Sequence, residues 1–332
     1  MWYFYKKFES EKLDSIIEQV NDLFRNIFCE NDVAFPSWME SIILKQYFID
    51  MKKHYALSLD DEKTEVIKSF NTNIQIERIC KREISPISYE ELLRNASIEF
   101  TKCIENIKLI QDYLYDNLLK LKYFIDEAVT FKNYYNRFFE ESVEYVCPFC
   151  GLGNMLTSKD LYREAFDHYF PKSKYPFVSF LRENLFPICS TCNTLYKNDK
   201  NLHDYGKSFY PFNTEINDCK LSFDIVSGII IKTEISSICF EEEVETWNDI
   251  FDIKNRINNF ADSNLNGWIS NITEVMKNYE VDLEQAINTE IKLCKPIMQD
   301  NKFVKKAVLE ALKVGEDDNA SPAVQEEILL MP

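Results

Sequence analysis

Two short cysteine motifs stand out in the sequence: residues 147–151 read CPFCG, and residues 189–192 read CSTC. Each motif forms a tight turn that can present two sulfur atoms to one ion. We therefore predict one tetrahedral zinc site, with the ligands Cys147, Cys150, Cys189 and Cys192. Zinc with four sulfur ligands has no open position for water, so this ion would stabilise the fold without taking part in catalysis. The alternatives are two unrelated CxxC pairs or a redox dithiol.

The composition indicates a folded protein outside the secretory pathway. The chain has 332 residues, of which 45% are hydrophobic, and this is enough to bury a sizeable core. No long uncharged apolar stretch predicts a membrane span, and the first residues do not resemble a secretory signal. Six of the ten cysteines lie outside the two motifs and are expected to be small buried apolar residues in a reducing compartment. We expect a cytoplasmic location and no membrane partner.

The charge distribution limits the ways in which the chain can bind nucleic acid. The formal net charge is −17, which argues against a wide, sequence-independent DNA-binding face. Residues 147–212 nevertheless contain eight basic and six acidic side chains. A positive segment of this acidic chain therefore coincides with the cysteine motifs.

The pattern of apolar residues divides the chain into three regions. Residues 1–140 have helical periodicity, with Ile107, Ile110 and Leu114 on one predicted helix face that continues to Ile125. Residues 141–212 lose that periodicity and concentrate Gly, Pro, Cys and His. Residues 213–332 begin with an alternating pattern typical of a β-hairpin and then return to helix. We predict a mainly α protein with a small α+β insert between helical domains.

The insert carries the residues that indicate a function. Residues 166–177 read FDHYFPKSKYPF, and residues 184–197 read NLFPICSTCNTLYK. This segment resembles the HNH endonuclease family, in a bacterial branch with the pattern DHYxPKSxYP…NLxPxCxxCNxxxK. The resemblance covers residues 147–197, a small part of the chain. It has one departure, because Asn193 stands where many members have His.

The resemblance implies a ββα-metal finger held by the four-cysteine zinc site. A hairpin would carry Asp167 and His168, a return strand would span residues 184–188, and a helix would begin near Thr191. Neighbouring residues of a strand face opposite ways, so Asp167 and His168 reach the same site only if the strand is irregular.

Each residue of the motif then has an expected role. His168 would be the general base, because an unperturbed imidazole titrates near neutral pH. Asp167 would bind catalytic Mg²⁺ or Mn²⁺, and Asn193 would either add a second oxygen ligand or cap the helix. Asn184 would tie the preceding loop through backbone hydrogen bonds. Two lysines remain: Lys172 as a phosphate contact, and Lys197 as either a phosphate contact or a packing or surface residue.

The first functional hypothesis is therefore a metal-dependent HNH endonuclease that hydrolyses phosphodiester bonds, with DNA favoured over RNA. The resemblance also implies a role in anti-phage defence or restriction, with a protein partner such as an ATPase subunit. The alternatives are a non-catalytic zinc finger that binds nucleic acid or protein, and an assembly subunit with large helical surfaces.

Overall fold

The computed structural model describes residues 1–8, 11–39, 42–117, 131–140, 145–157, 160, 164, 166–226, 228–294 and 299–314. The described chain is mostly helical, with two small antiparallel sheets. This confirms the predicted mainly α class with a small strand content. None of the described helices combines the length and apolar character needed to cross a membrane.

Helices make up most of the N-terminal region. They are α1 (Glu11–Phe28), α2 (Ile43–Ala56), α3 (Asp60–Asn73), α4 (Ile76–Cys80), α5 (Tyr89–Leu93), α6 (Ile98–Asn117) and α7 (Phe131–Glu140). The start of α5 is fixed by a capping box, in which the Ser88 hydroxyl accepts from the Glu91 N–H and the Glu91 carboxylate accepts from the Ser88 N–H. The predicted apolar stripe is buried at Ile107, Ile110 and Leu114, and its continuation to Ile125 lies outside the described residues.

The first eight residues form no helix, so the prediction of helix is wrong for them. They pack against the cysteine region instead. The Trp2 N–H donates to the Pro148 carbonyl at 2.8 Å, and the Tyr5 hydroxyl donates to the Pro187 carbonyl at 2.6 Å. Local periodicity could not reveal this arrangement, because its hydrogen bonds join segments that are far apart in the sequence.

The central region contains a short hairpin-like pair of strands followed by a helical turn. Strand β1 (Phe166–His168) pairs antiparallel with β2 (Leu185–Pro187), and Asp167 lies opposite Phe186. A π-helical turn follows at Cys192–Lys197, where the Asn198 N–H donates to the Asn193 carbonyl at 2.8 Å. Strand, strand and helical turn follow one another along the chain, and the ββα-metal finger that the resemblance implies stays a prediction. The register of β1 with β2 is regular, so the irregular strand that would bring Asp167 and His168 to one site is not observed.

The C-terminal region begins with the predicted hairpin. Strands β3 (Lys220–Val226) and β4 (Ile229–Ser236) pair antiparallel, and Gly228 lies between them with a φ of 72°, a value that glycine adopts without strain. The predicted helices follow as α8 (Glu241–Phe251), α9 (Ile253–Tyr279), α10 (Leu283–Leu293) and α11 (Lys302–Val314). The larger of two hydrophobic clusters contains residues of all three regions, from Met1 to Val308, and the smaller one lies among the C-terminal helices. The division into three domains stays a prediction.

Phe177 anchors the insert to the N-terminal helices. Its φ of 69° lies in the left-handed region, which a bulky residue occupies only when other interactions stabilise it. Its fully buried ring lies 5.1 Å from the ring of Phe24 on α1 and 5.1 Å from that of Phe70 on α3, both edge-on. This aromatic cluster holds the loop between β1 and β2 against the helices.

We predict that Phe177→Ala lowers the free energy of unfolding by roughly 3–5 kcal/mol, the usual cost of removing a buried phenyl ring. The measurement is urea denaturation followed by circular dichroism. Ile238→Ala is the matched control, because Ile238 is 92% exposed, and should change stability by less than about 0.5 kcal/mol. Equal effects of the two substitutions would contradict the anchoring role.

Candidate active site and metal centre

The four motif cysteines form one buried cluster. Their sulfur atoms all lie within 4.8 Å of one another, and the sulfurs of Cys150 and Cys189 are 3.8 Å apart. Tetrahedral zinc with Zn–S bonds of about 2.3 Å requires sulfur–sulfur spacings of about 3.8 Å, whereas a disulfide requires about 2.05 Å. The cluster is therefore compatible with a zinc ion and does not contain a disulfide among its members.

Backbone N–H groups beside the first cysteine pair can stabilise a thiolate. The N–H groups of Leu152 and Gly153 point at the Cys150 sulfur, at 3.4 and 3.3 Å. Contacts with the neighbouring cysteine thiols hold the pKa of Cys150 well below its ordinary value. A Cβ atom on Gly153 would lie 2.9 Å from the Cys189 sulfur, which is too close for any side chain. Gly153 therefore leaves the space that lets the two cysteine pairs converge.

Arg256 on α9 contacts the cluster from outside. Its Nη1 donates to the Cys192 sulfur at 3.3 Å, and its guanidinium lies 4.1 Å from the centre of the Tyr196 ring. A zinc ion bound by four thiolates carries a net charge of −2, so an adjacent cation is favourable. Sequence reasoning missed Arg256, because it lies far along the chain from the cysteine motifs and belongs to no local pattern.

Asp167 and Lys197 form a buried ion pair beside the strands. The Lys197 ammonium lies 2.9 Å from Asp167 Oδ2 and donates to the His168 carbonyl oxygen at 2.9 Å. Lys197 is 1% exposed. Burial raises the pKa of Asp167, and the adjacent ammonium opposes that shift. Lys197 is therefore a buried packing residue, which is one of the two roles expected for it. Its ammonium is paired with the Asp167 carboxylate, the group expected to bind the catalytic metal.

A hydrogen bond to the backbone fixes which ring nitrogen of His168 carries the proton. Its Nε2 lies 2.9 Å from the Ser179 carbonyl oxygen. A carbonyl oxygen only accepts, so Nε2 carries the proton and Nδ1 has the free lone pair. Burial lowers the pKa of His168 to about 4, which replaces the near-neutral value expected from an unperturbed imidazole. The imidazole is therefore neutral at pH 7, and its lowered pKa makes it a weaker base than an unperturbed imidazole.

The two asparagines differ in their surroundings. Asn184 is fully buried; its Oδ1 accepts from the Phe170 N–H at 2.7 Å, and its Nδ2 donates to the carbonyls of Phe170 and Val178. These bonds tie the loop between β1 and β2, as the sequence predicted. Asn193 is partly exposed inside the helical turn, which begins before it, so it is not the N-cap. Among the described residues its amide side chain has no hydrogen-bond partner in the structure.

Lys172 and the other histidines are engaged by acidic, aromatic or basic neighbours. The Lys172 ammonium lies 2.9 Å from Asp112 Oδ1 and 4.5 Å from the centre of the Tyr115 ring, both on α6. His54 Nδ1 lies 2.6 Å from a Glu99 carboxylate oxygen, and His203 contacts Arg82. The contacts of His54 and His203 are typical of structural histidines, whereas the α6 contacts of Lys172 had no counterpart in the sequence patterns.

Comparisons of the chain with protein-family models, with curated proteins and with solved structures gave no match. The functional interpretation therefore depends on the geometry described above and on the motif that the sequence contains.

We predict about one tightly held zinc per chain, measured by elemental analysis, as four sulfur ligands imply. Cys150→Ser should lower both the zinc content and the melting temperature, because metal binding is linked to folding. Gly153→Ala should have the same effect, because its methyl group would meet the Cys189 sulfur.

The matched control is Gly267→Ala, since a Cβ atom there meets nothing within 4 Å. This variant should keep its zinc and gain up to about 1 kcal/mol of stability, because alanine is the better helix former. A wild-type protein that is stable without metal would refute the zinc site.

Proposed function

We propose that this chain is a metal-dependent phosphodiesterase of the HNH class, with DNA favoured as its substrate. The observation that carries the proposal is the state of His168. A neutral imidazole is held by the Ser179 carbonyl with its lone pair on Nδ1, and the motif residue Asp167 precedes it on β1. Binding alone does not require a base in a defined tautomer.

In the proposed reaction, Nδ1 of His168 accepts a proton from a water molecule. The water oxygen attacks the phosphorus atom, and the bond from phosphorus to the leaving oxygen breaks. Asp167 and Asn193 would hold Mg²⁺ or Mn²⁺, which supplies charge stabilisation for the leaving oxygen. Lys197 must first withdraw from Asp167, because the ammonium and a divalent cation compete for the same carboxylate.

The proposed ligands assign a structural role to the zinc ion and a catalytic role to Mg²⁺ or Mn²⁺. The soft thiolates suit zinc, whereas the carboxylate and amide oxygens suit Mg²⁺ or Mn²⁺. The zinc would fix the helical turn that carries Asn193 against the strands that carry Asp167 and His168. It would have no open position for substrate.

One observation favours a second candidate, a zinc finger that binds nucleic acid or protein without cutting. If the buried Lys197–Asp167 pair never opens, Asp167 cannot bind a metal. A role in defence or restriction and a partner such as an ATPase subunit are part of the proposal through the HNH resemblance alone. The acidic body of the chain supports a delivered or triggered nuclease, because its net charge of −17 disfavours autonomous DNA binding.

We predict that cleavage of plasmid DNA stops after chelation and returns with Mg²⁺ or Mn²⁺. The double variant Asp167→Asn/Lys197→Met should not cut in either ion, because it lacks the metal-binding carboxylate. Removing both charges avoids leaving a buried lysine unpaired. Its zinc content should equal that of the wild type.

The control for this prediction is Asp199→Asn, an exposed carboxylate in the same region, which should cut normally. Cleavage that is independent of added Mg²⁺ or Mn²⁺, or that persists in the double variant, would contradict the assignment of Asp167 as a metal ligand.

We predict that His168→Gln reduces the cleavage rate by about two to four orders of magnitude, the usual contribution of a general base. The glutamine amide can still donate to the Ser179 carbonyl, so folding and nucleic-acid binding should persist. Single-turnover cleavage and oligonucleotide binding are measured on the same preparations. His54→Gln and His203→Gln are the controls and should remain active; a rate unchanged in His168→Gln would leave the binding module as the better interpretation.

A further inference from the structure

The C-terminal part of α6 lies against the candidate active site. Gln111, which is buried, joins it to the loop between β1 and β2: the Ser179 hydroxyl donates to the Gln111 carbonyl at 3.0 Å, and the Ser179 N–H donates to Gln111 Oε1 at 3.3 Å. Ser179 is the residue whose carbonyl accepts from His168. The helix is therefore attached to the loop that orients the proposed base.

Beyond Gln111, two residues of the same helix face contact the proposed machinery directly. Asp112 forms the ion pair with Lys172, and the ring centre of Tyr115 lies 4.4 Å from that of His168. Residues three apart on a helix are neighbours, so the carboxylate and the ring reach the site together. The Lys172 ammonium also lies over the Tyr115 ring, which joins the three side chains into one cluster.

The Asp112 carboxylate presents to Lys172 the same kind of group that a nucleic-acid substrate would present. A carboxylate on Lys172 supplies the negative charge and the acceptor oxygens that a phosphate group would supply. An aromatic ring against the imidazole fills space beside the proposed base. Lys172 is paired with Asp112, and Lys197 is paired with Asp167. The positive charge of each lysine is therefore neutralised by a carboxylate of the same chain.

We propose that Asp112 and Tyr115 form an autoinhibitory contact, in which the C-terminal turns of α6 occupy a phosphate-binding subsite made by Lys172 and the face of His168. This inference rests on the proposed nuclease function, since it assigns the regulation of the same site. The ion pair between Asp112 and Lys172 can break without disturbing the rest of the helix. The Asp112 carboxylate is 47% exposed, and such ion pairs are weak in water, whereas the Gln111–Ser179 bonds are buried and remain in place.

The experiment compares wild type with Asp112→Asn, Tyr115→Leu and their combination. Binding of a fluorescein-labelled 12-nucleotide single-stranded DNA by the zinc-loaded protein is measured by anisotropy without added Mg²⁺, and cleavage of the same DNA is measured in Mg²⁺. We expect the double variant to bind about two- to fivefold more tightly, the size of effect that releasing a weak ion pair allows. It should also cut faster. Adding Lys172→Gln should abolish the gain in binding.

Asp116→Asn is the matched control, because Asp116 lies exposed on the same turn and its substitution removes the same charge. It should not reproduce the gain, so an equal gain would overturn the proposal in favour of a general charge effect. Unchanged or weaker binding in Asp112→Asn and the double variant would also overturn it, because Asp112 would then position Lys172. Melting temperatures verify that each variant is folded.

The two readouts separate the proposals. Tighter binding without cleavage by any variant would support the phosphate subsite and refute the nuclease. Cleavage by the wild type with no gain in the α6 variants would support the nuclease and refute the autoinhibitory contact. Absence of both DNA binding and cleavage in all variants would overturn both.

Discussion

Four buried sulfur atoms bring two distant turns of the chain to one point, and the arrangement of the candidate site follows from that convergence. Once the sulfurs lie within 4.8 Å of one another, the helical turn is fixed against the strands β1 and β2. Thiols gathered at this spacing repel one another when ionised, so a cation between them is the natural source of stability.

The surroundings of the cysteine cluster extend its effect to the whole chain. Trp2 and Trp247 donate their indole N–H groups to the carbonyls of Cys150 and Phe149, and Arg256 donates to the Cys192 sulfur. These residues belong to the N-terminal segment and to helices of the C-terminal region. The cysteine cluster is therefore contacted by all three regions of the sequence, which is consistent with the hydrophobic cluster that they share.

Local patterns in the sequence were enough to predict the cysteine cluster, the hairpin of β3 and β4 and the loop-tying role of Asn184. Each of these depends on residues that are close in sequence or belong to a motif with fixed spacing. The pairing of Lys197 with Asp167 was not predicted, because the depth at which a lysine is buried depends on the packing around it. The contacts of α6 and Arg256 were missed for a related reason: they join distant segments, and a single sequence carries no signal for such pairs. The helical periodicity of the N-terminal region likewise gave no sign that its first eight residues are not helical.

The central claim is that the site splits a phosphodiester bond with a water molecule activated at His168. Its most direct test is to incubate the zinc-loaded protein and Mg²⁺ with a DNA oligonucleotide in ¹⁸O-labelled water and to analyse the products by mass spectrometry. The account predicts that each new terminal phosphate carries one ¹⁸O atom, and that the His168→Gln protein gives almost no product in the same time. Intact DNA under these conditions, or new phosphate ends without the label, would contradict it.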